Sequence, residues 1–240
     1  MIYNLLNNAK TDNGLFAILI DPDKYTDNGL EQISNNANRC KVDLFLLGGS
    51  LLKTNIERTL KFLKSQSQIP IVLFPGSALQ YVPGADAILL LSLISGRNPD
   101  FLIGHHVLIA NSLKESAMEI IPTGYILIND GNPTSVQYMS NTFPIPSSKP
   151  DIALATALAG YQLGLKTIYL EAGSGANNPV PTSTIRLIKN NIDIPIIVGG
   201  GLKTPQQVKA VREAGASMVV VGNFLESNPN DLADMVEASR

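Results

Sequence analysis

Residues 192–226 read IDIPIIVGGGLKTPQQVKAVREAGASMVVVGNFLE. An apolar run ends in Gly199-Gly200-Gly201. Thr204 then precedes Pro205, the pattern of an N-cap followed by proline at the first helical position. A segment with helical spacing follows, and a second apolar run ends in Gly222-Asn223. Strand, glycine turn, helix, strand, glycine turn is the unit of a parallel sheet covered by helices.

The unit recurs along the chain. GLFAILI, VDLFLLGG, IPIVLF, ADAILLLS, EIIPTGYILIN and LKTIYLEAG join the two runs above to give eight candidate strands. They are almost continuously apolar, as strands buried on both faces are. Helical patterns lie between them at residues 51–65, 151–163 and 205–214. Eight such strands in 240 residues predict one (β/α)8 TIM-type barrel, a single domain over residues 1–240. One interval departs from the pattern. Only PGSALQYVPG, residues 75–84, separates the third and fourth strands. Its prolines and glycines leave no room for a crossover helix, so the third helix is expected to be missing or replaced by an irregular segment. Either the loop is simply short, or the ring of helices opens there to take a long apolar ligand. NTFPIPSSKPD, residues 141–151, reads as a βα loop.

Lys plus Arg number 18 against 20 Asp plus Glu, a formal net charge of −2 with no basic run. That excludes nucleic acid as the main partner. One cysteine, Cys40, rules out an internal disulfide framework and fits a reducing, cytoplasmic setting. ADAILLLSLISG is the most apolar stretch and falls short of the ~20 residues a membrane span needs. A soluble protein is expected, with transient contact to a membrane surface left open.

Function in a parallel barrel sits at the C-terminal ends of the strands. Three glycine clusters fall there: Gly173-Ser174-Gly175 after strand six, Gly199 to Gly201 after strand seven, and Gly222-Asn223 after strand eight. Without a Cβ, backbone N–H groups can close on a phosphate. The first two strands end in Asp21 (LIDPDK) and Ser50 (LLGGS). A carboxylate and a hydroxyl at adjacent strand ends suit one Mg²⁺ completed by substrate oxygens; equally, Asp21 could cap the turn before Pro22 and Ser50 a helix beginning at Leu51. Glu171 ends strand six inside an apolar run. It could accept a substrate hydroxyl or act as a base, or form an ion pair inside the barrel.

Together LIDPDK, DLFLLGGS, IPIVLFPG, ADAILLLSLISGRNPDFLIGHH, IPTGYILI, YLEAGSGA, IPIIVGGGLKT and VVVGN resemble the geranylgeranylglyceryl phosphate synthase family, which includes the bacterial heptaprenylglyceryl phosphate synthases. The resemblance runs through nearly the whole chain. It implies a barrel lacking its third helix. It also implies a prenyltransferase that joins sn-glycerol 1-phosphate to a polyprenyl diphosphate, geranylgeranyl in the first instance, and releases diphosphate with Mg²⁺. Carried over motif by motif, Asp21 and Ser50 would hold the metal. Tyr169, Leu170, Glu171, Ala172, Gly173, Ser174 and Gly175 would hold the glycerol phosphate, with Gly200, Gly201, Gly222 and Asn223. A homo-oligomer, dimer or larger, is implied as well. Some bacterial members carry a lysine two residues before the first aspartate; here that position is Leu19, so nothing about that lysine carries over.

On this reading Glu171 orients the glycerol C3 hydroxyl and takes its proton, and Tyr169 assists. Tyr81, Phe101, Leu102 and Ile103 are candidates to line a prenyl groove. His105 and His106 show no metal spacing and are expected at a surface or interface. Two alternatives stand: another phosphate-binding barrel enzyme, an isomerase or lyase on a phosphorylated small molecule, or a barrel that binds glycerol phosphate without turnover.

Overall fold

A computed structural model describes residues 1–11, 13–131 and 133–240. Eight parallel strands close in sequential order into a barrel: β1 (Leu15–Ile20), β2 (Leu44–Leu47), β3 (Ile71–Leu73), β4 (Ala87–Leu93), β5 (Glu119–Leu127), β6 (Thr167–Glu171), β7 (Ile196–Gly199) and β8 (Met218–Val221). Closure is made by β1 on β8, with Ile18 beside Val221. The continuous apolar runs are explained by two separate cores. Ala17, Leu46, Val72, Leu89, Ile197 and Val220 fill the barrel interior. Alternate residues such as Phe16, Ile18, Phe45, Leu47, Ile168 and Val219 pack outward against the helices. Alternation along each strand makes this division.

The helices are α1 (Ile2–Asn8), α2 (Asp27–Cys40), α3 (Ile56–Gln66), α4 (His105–Glu115), α5 (Ser135–Ser140), α6 (Pro150–Gln162), α7 (Thr182–Lys189), α8 (Pro205–Glu213), α9 (Asn223–Ser227) and α10 (Leu232–Ala238). The Thr204 cap is realised as a reciprocal pair: Thr204 accepts from Gln207 N, and the Gln207 side chain accepts from Thr204 N. The helix expected over 51–65 starts later. Asn55 accepts from Glu57 N and Arg58 N and so fixes the start at Ile56. Ser50 therefore caps no helix.

The short third interval holds a single 3-10 turn, Ala78–Gln80, and no helix. With no helix over it, Leu90 on the outward face of β4 stays half-buried. At the other end of the barrel, α1 was not anticipated. Its Ile2 and Leu6 enter the interior core. Glu119, at the start of β5, accepts from the backbone N–H groups of Ile2 and Tyr3. No helix among the described residues is long and apolar enough to cross a membrane.

Candidate active site

A cavity of about 540 Å³ opens at the C-terminal ends of the strands. Asp21 and Ser50 face it from one side; Ser174, Gly175, Gly200, Gly201, Gly222 and Asn223 face it from the other; Tyr169 and Glu171 form its floor. The turn after β6 is tied to the turn after β8, because Ser174 Oγ donates to Asn223 Oδ1 at 2.8 Å. Gly200 has φ +81, a conformation that disfavours any side chain. The three glycine clusters thus converge as expected. Lys24 and Lys203 also face the cavity and supply positive charge.

Glu171 is buried, 6% exposed. Burial raises its pKa to about 7, and the Gly173 N–H together with the nearby Tyr169 and Tyr125 hydroxyls offsets part of that rise. Its Oε1 accepts from Gly173 N at 2.6 Å. Among the described residues no cation pairs with it, so the ion-pair alternative for this carboxylate is not realised there. Burial first, and the Glu171 charge second, keep Tyr125 and Tyr169 protonated. The Tyr169 hydroxyl lies near Glu171, yet it has no hydrogen-bond partner at normal geometry among the described residues. A buried hydroxyl without a firm partner is available to a ligand. Tyr125, Tyr169 and Phe74 form one aromatic cluster, with ring centroids 5.1 Å apart for Phe74–Tyr169 and 5.3 Å for Tyr125–Tyr169.

Not every expected residue faces the cavity. Leu170 and Ala172 pack into the outer core, because strand alternation turns them away from the interior. Gly173 acts through its N–H on Glu171 and does not line the cavity. Tyr125 was missed, although it pairs in register with Tyr169. Its signal was a tyrosine near the end of an apolar run, in EIIPTGYILIN.

A second, apolar cavity of about 80 Å³ lies in the gap left by the third helix. It is walled by the Pro75–Ala78 turn, by Leu90, Leu91 and Leu93 of β4, and by Phe101 and Ile109. Gly49, Ser50, Phe74, Tyr125 and Val136 face both cavities, so the two adjoin. Of the expected groove residues only Phe101 lines it. Tyr81 instead donates to Ser112 O at 3.2 Å and braces α4, and Ile103 is exposed. Both histidines are half-buried and line the apolar cavity. His106 Nε2 lies 2.8 Å from Leu91 O, and the His105 ring stands edge-on to Phe101.

Asp21 Oδ1 accepts from Asp23 N at 3.0 Å, so the capping role is real. Its second oxygen, Oδ2, lies over Gly49, where a Cβ would stand 3.2 Å away. Burial raises the Asp21 pKa. Asp23 is committed elsewhere, accepting from Lys53 N and Thr54 N at 2.9 and 2.8 Å. A carboxylate oxygen and the Ser50 hydroxyl beside one cavity are hard oxygen donors that fit Mg²⁺. Among the described residues no cluster of three or more His, Cys, Asp or Glu could hold a metal. An ion here would therefore need substrate oxygens to complete its shell.

The PcrB family profile matches residues 8–240. The chain belongs to the PcrB family. Within it, the geranylgeranylglyceryl phosphate synthase of Chitinophaga pinensis is 46% identical over 224 residues, 93% of this chain and 89% of that one. That of the archaeon Korarchaeum cryptofilum is 40% identical over 229 residues, 95% of this chain and 94% of that one. The crystal structure of (S)-3-O-geranylgeranylglyceryl phosphate synthase from Thermoplasma acidophilum, in complex with substrate sn-glycerol-1-phosphate, superimposes with a TM-score of 0.91 at 31% identity. The match covers 99% of this chain and 98% of that one. A thiamine phosphate pyrophosphorylase from Pyrococcus furiosus, 13% identical with a TM-score of 0.56, shares the barrel fold alone with this PcrB-family chain.

Proposed function

We propose that the protein is a prenyltransferase forming an ether between sn-glycerol 1-phosphate and a long polyprenyl diphosphate, geranylgeranyl in the first instance. One observation carries the reading. A polar cavity ringed by glycine turns adjoins an apolar one, and Ser50, Phe74 and Tyr125 line both. A sugar-phosphate isomerase or lyase has no use for the second compartment. The names of its relatives, and the sn-glycerol-1-phosphate held by the Thermoplasma enzyme, support the same substrates.

The phosphate would rest on the Gly200–Gly201 and Gly222–Asn223 turns, with Lys203 near. Glu171 accepts a hydrogen bond from the glycerol C3 hydroxyl, and Tyr169 donates to the same oxygen. That oxygen attacks C1 of the prenyl chain. The new C–O bond forms as the bond from C1 to diphosphate breaks, the diphosphate leaves with the electron pair, and the hydroxyl proton passes to Glu171. The aromatic faces of Phe74 and Tyr125, at the junction, suit an allylic carbon that gains positive character. Holding both substrates in contact supplies much of the acceleration, since effective molarities of ~10⁵ M and more are known for such juxtaposition. Asp21 and Ser50 would hold Mg²⁺, which when bound neutralises charge on the departing diphosphate.

A cytoplasmic location and assembly into a homo-oligomer belong to the same proposal. The lone cysteine supports the first. The exposed Val107 and Leu108 on α4 support the second.

The test is a product assay with labelled sn-glycerol 1-phosphate, Mg²⁺ and prenyl diphosphates of graded length, run in parallel with sn-glycerol 3-phosphate. An organic-extractable product made only from the 1-phosphate supports the synthase. Folded protein that binds the phosphate and makes no lipid with any chain would instead support another phosphate barrel or a binding protein.

A further inference from the structure

The segment that replaces the third helix carries one deeply buried polar side chain. Gln80, at the end of the 3-10 turn, is 5% exposed. Its Oε1 accepts from Gly49 N at 3.3 Å and from Gly76 N at 3.1 Å. Its Nε2 donates to Gly49 O at 2.6 Å. One amide thus serves both backbone groups of Gly49 and binds the turn after β2 to the turn after β3. The two turns pass closer than side chains would allow: a Cβ on Gly76 would stand 2.3 Å from Gly49 O and 2.9 Å from Ser50 Cα. A buried amide is costly unless its groups are bonded, and here all three bonds converge on one junction.

That junction is where the polar and apolar cavities meet. Gly49 and Ser50 face both, and Gly49 lies beneath Asp21 Oδ2. Gln80 itself faces neither cavity, so it acts through the backbone it holds. The glycine turns at 200–201 and 222–223 lie across the polar cavity and receive no bond from it.

We propose that Gln80 is a positioning residue for the diphosphate end of the prenyl substrate, holding Gly49 and Ser50 where the leaving group must sit. This rests on the ether-synthase reading. It separates the two substrates: loosening the junction weakens the diphosphate side and spares the glycerol phosphate side. A purely structural glutamine would lower stability and leave both affinities of the folded protein alike.

The experiment compares wild type with Gln80→Leu, which removes all three bonds, and Gln80→Glu, which keeps both acceptor bonds and sets a carboxylate oxygen against Gly49 O. Calorimetry measures binding of inorganic diphosphate with Mg²⁺ and of sn-glycerol 1-phosphate to each, and steady-state assays give KM for both substrates. Both variants are expected to weaken diphosphate binding and raise the prenyl diphosphate KM at least about tenfold, the scale of an unsatisfied buried polar group. Glycerol phosphate affinity stays at the wild-type value. Unchanged diphosphate binding, or equal losses for both ligands, overturns the proposal. Should Gln80→Leu fail to fold, the near-isosteric Gln80→Glu decides alone. Wild-type protein that makes no ether lipid, yet binds diphosphate in a Gln80-dependent way, would overturn the synthase reading and keep the role of Gln80.

Discussion

A Cβ on Gly200 would stand 2.3 Å from Glu171 Oε1. The turn after β7 thus approaches the carboxylate at the end of β6 as closely as backbone can, and the proposed phosphate cradle and proposed base form one rigid unit. Gly200→Ala must displace Glu171 and also strain a backbone at φ +81. It should weaken sn-glycerol 1-phosphate binding at least about tenfold, on a strain cost of order 1–3 kcal/mol. Calorimetric titration measures this directly; wild-type affinity in the variant would detach the turn from the phosphate site.

Glu171→Gln keeps the shape of the side chain and an oxygen to accept from Gly173 N. It removes the proton acceptor. Turnover should fall by about 10²–10⁴, the usual contribution of a general base, while glycerol phosphate affinity is kept. In the wild type, carboxylate is needed for attack, so kcat/KM measured against pH should rise through about pH 7. A flat profile, or a variant with full turnover, would remove Glu171 from the chemistry.

The same carboxylate predicts an inverse effect on stability. Its pKa lies near 4.5 when unperturbed and about 7 in the fold. Between those values the folded state holds a proton that the unfolded state releases, so stability falls as pH rises through that window and levels off above it. The cost is about 3 kcal/mol by pH 8. Glu171→Gln, which cannot ionise, should therefore gain stability over wild type as pH is raised from 5 to 8 in urea unfolding. A gap that does not change with pH would contradict the buried, unpaired state of this group.

Much of this site could be read from the chain. The eight strands were visible because each is buried on both faces and so lacks polar interruptions. The glycine turns, Asp21, Ser50 and Glu171 were visible because they interrupt those runs at the strand ends. What could not be read depends on direction and distant partners. Leu170 looks like its neighbours in sequence, and only strand alternation shows that it faces the helices. Tyr125 gains meaning from its register beside Tyr169. Gln80 stands in a segment that reads as an ordinary polar turn, and its burial comes from two loops that are distant in sequence. The start of α3 was misplaced because Leu51 and Leu52 continue the apolar spacing, whereas Asn55 fixes the helix start locally.

At the opposite end of the barrel, Glu119 secures α1 through the backbone N–H groups of Ile2 and Tyr3. Glu119→Ala leaves those donors unpaired and loosens the plug formed by Ile2 and Leu6. A loss of about 1–3 kcal/mol in urea unfolding is expected, with catalytic constants of the folded protein unchanged. A variant as stable as wild type would show that α1 docks by apolar contact alone.

The apolar cavity should set chain length. Leu90 is half-buried on its wall, in the space a third helix would cover. Leu90→Trp fills part of that space and should shift preference toward shorter prenyl diphosphates. Each methylene excluded is worth about 0.8 kcal/mol of binding. Competition between chains of two lengths in one reaction reads the shift, and an unchanged ratio would place the chain elsewhere.

In the proposed reaction the glycerol oxygen beside Glu171 becomes the ether oxygen at the junction of the two cavities. This is tested most directly by placing ¹⁸O in the C3 hydroxyl of sn-glycerol 1-phosphate and analysing both products by mass spectrometry after reaction with prenyl diphosphate and Mg²⁺. The label is expected to be fully retained in the lipid and absent from the released diphosphate. Label in the diphosphate, or no prenylated lipid at all, would contradict it.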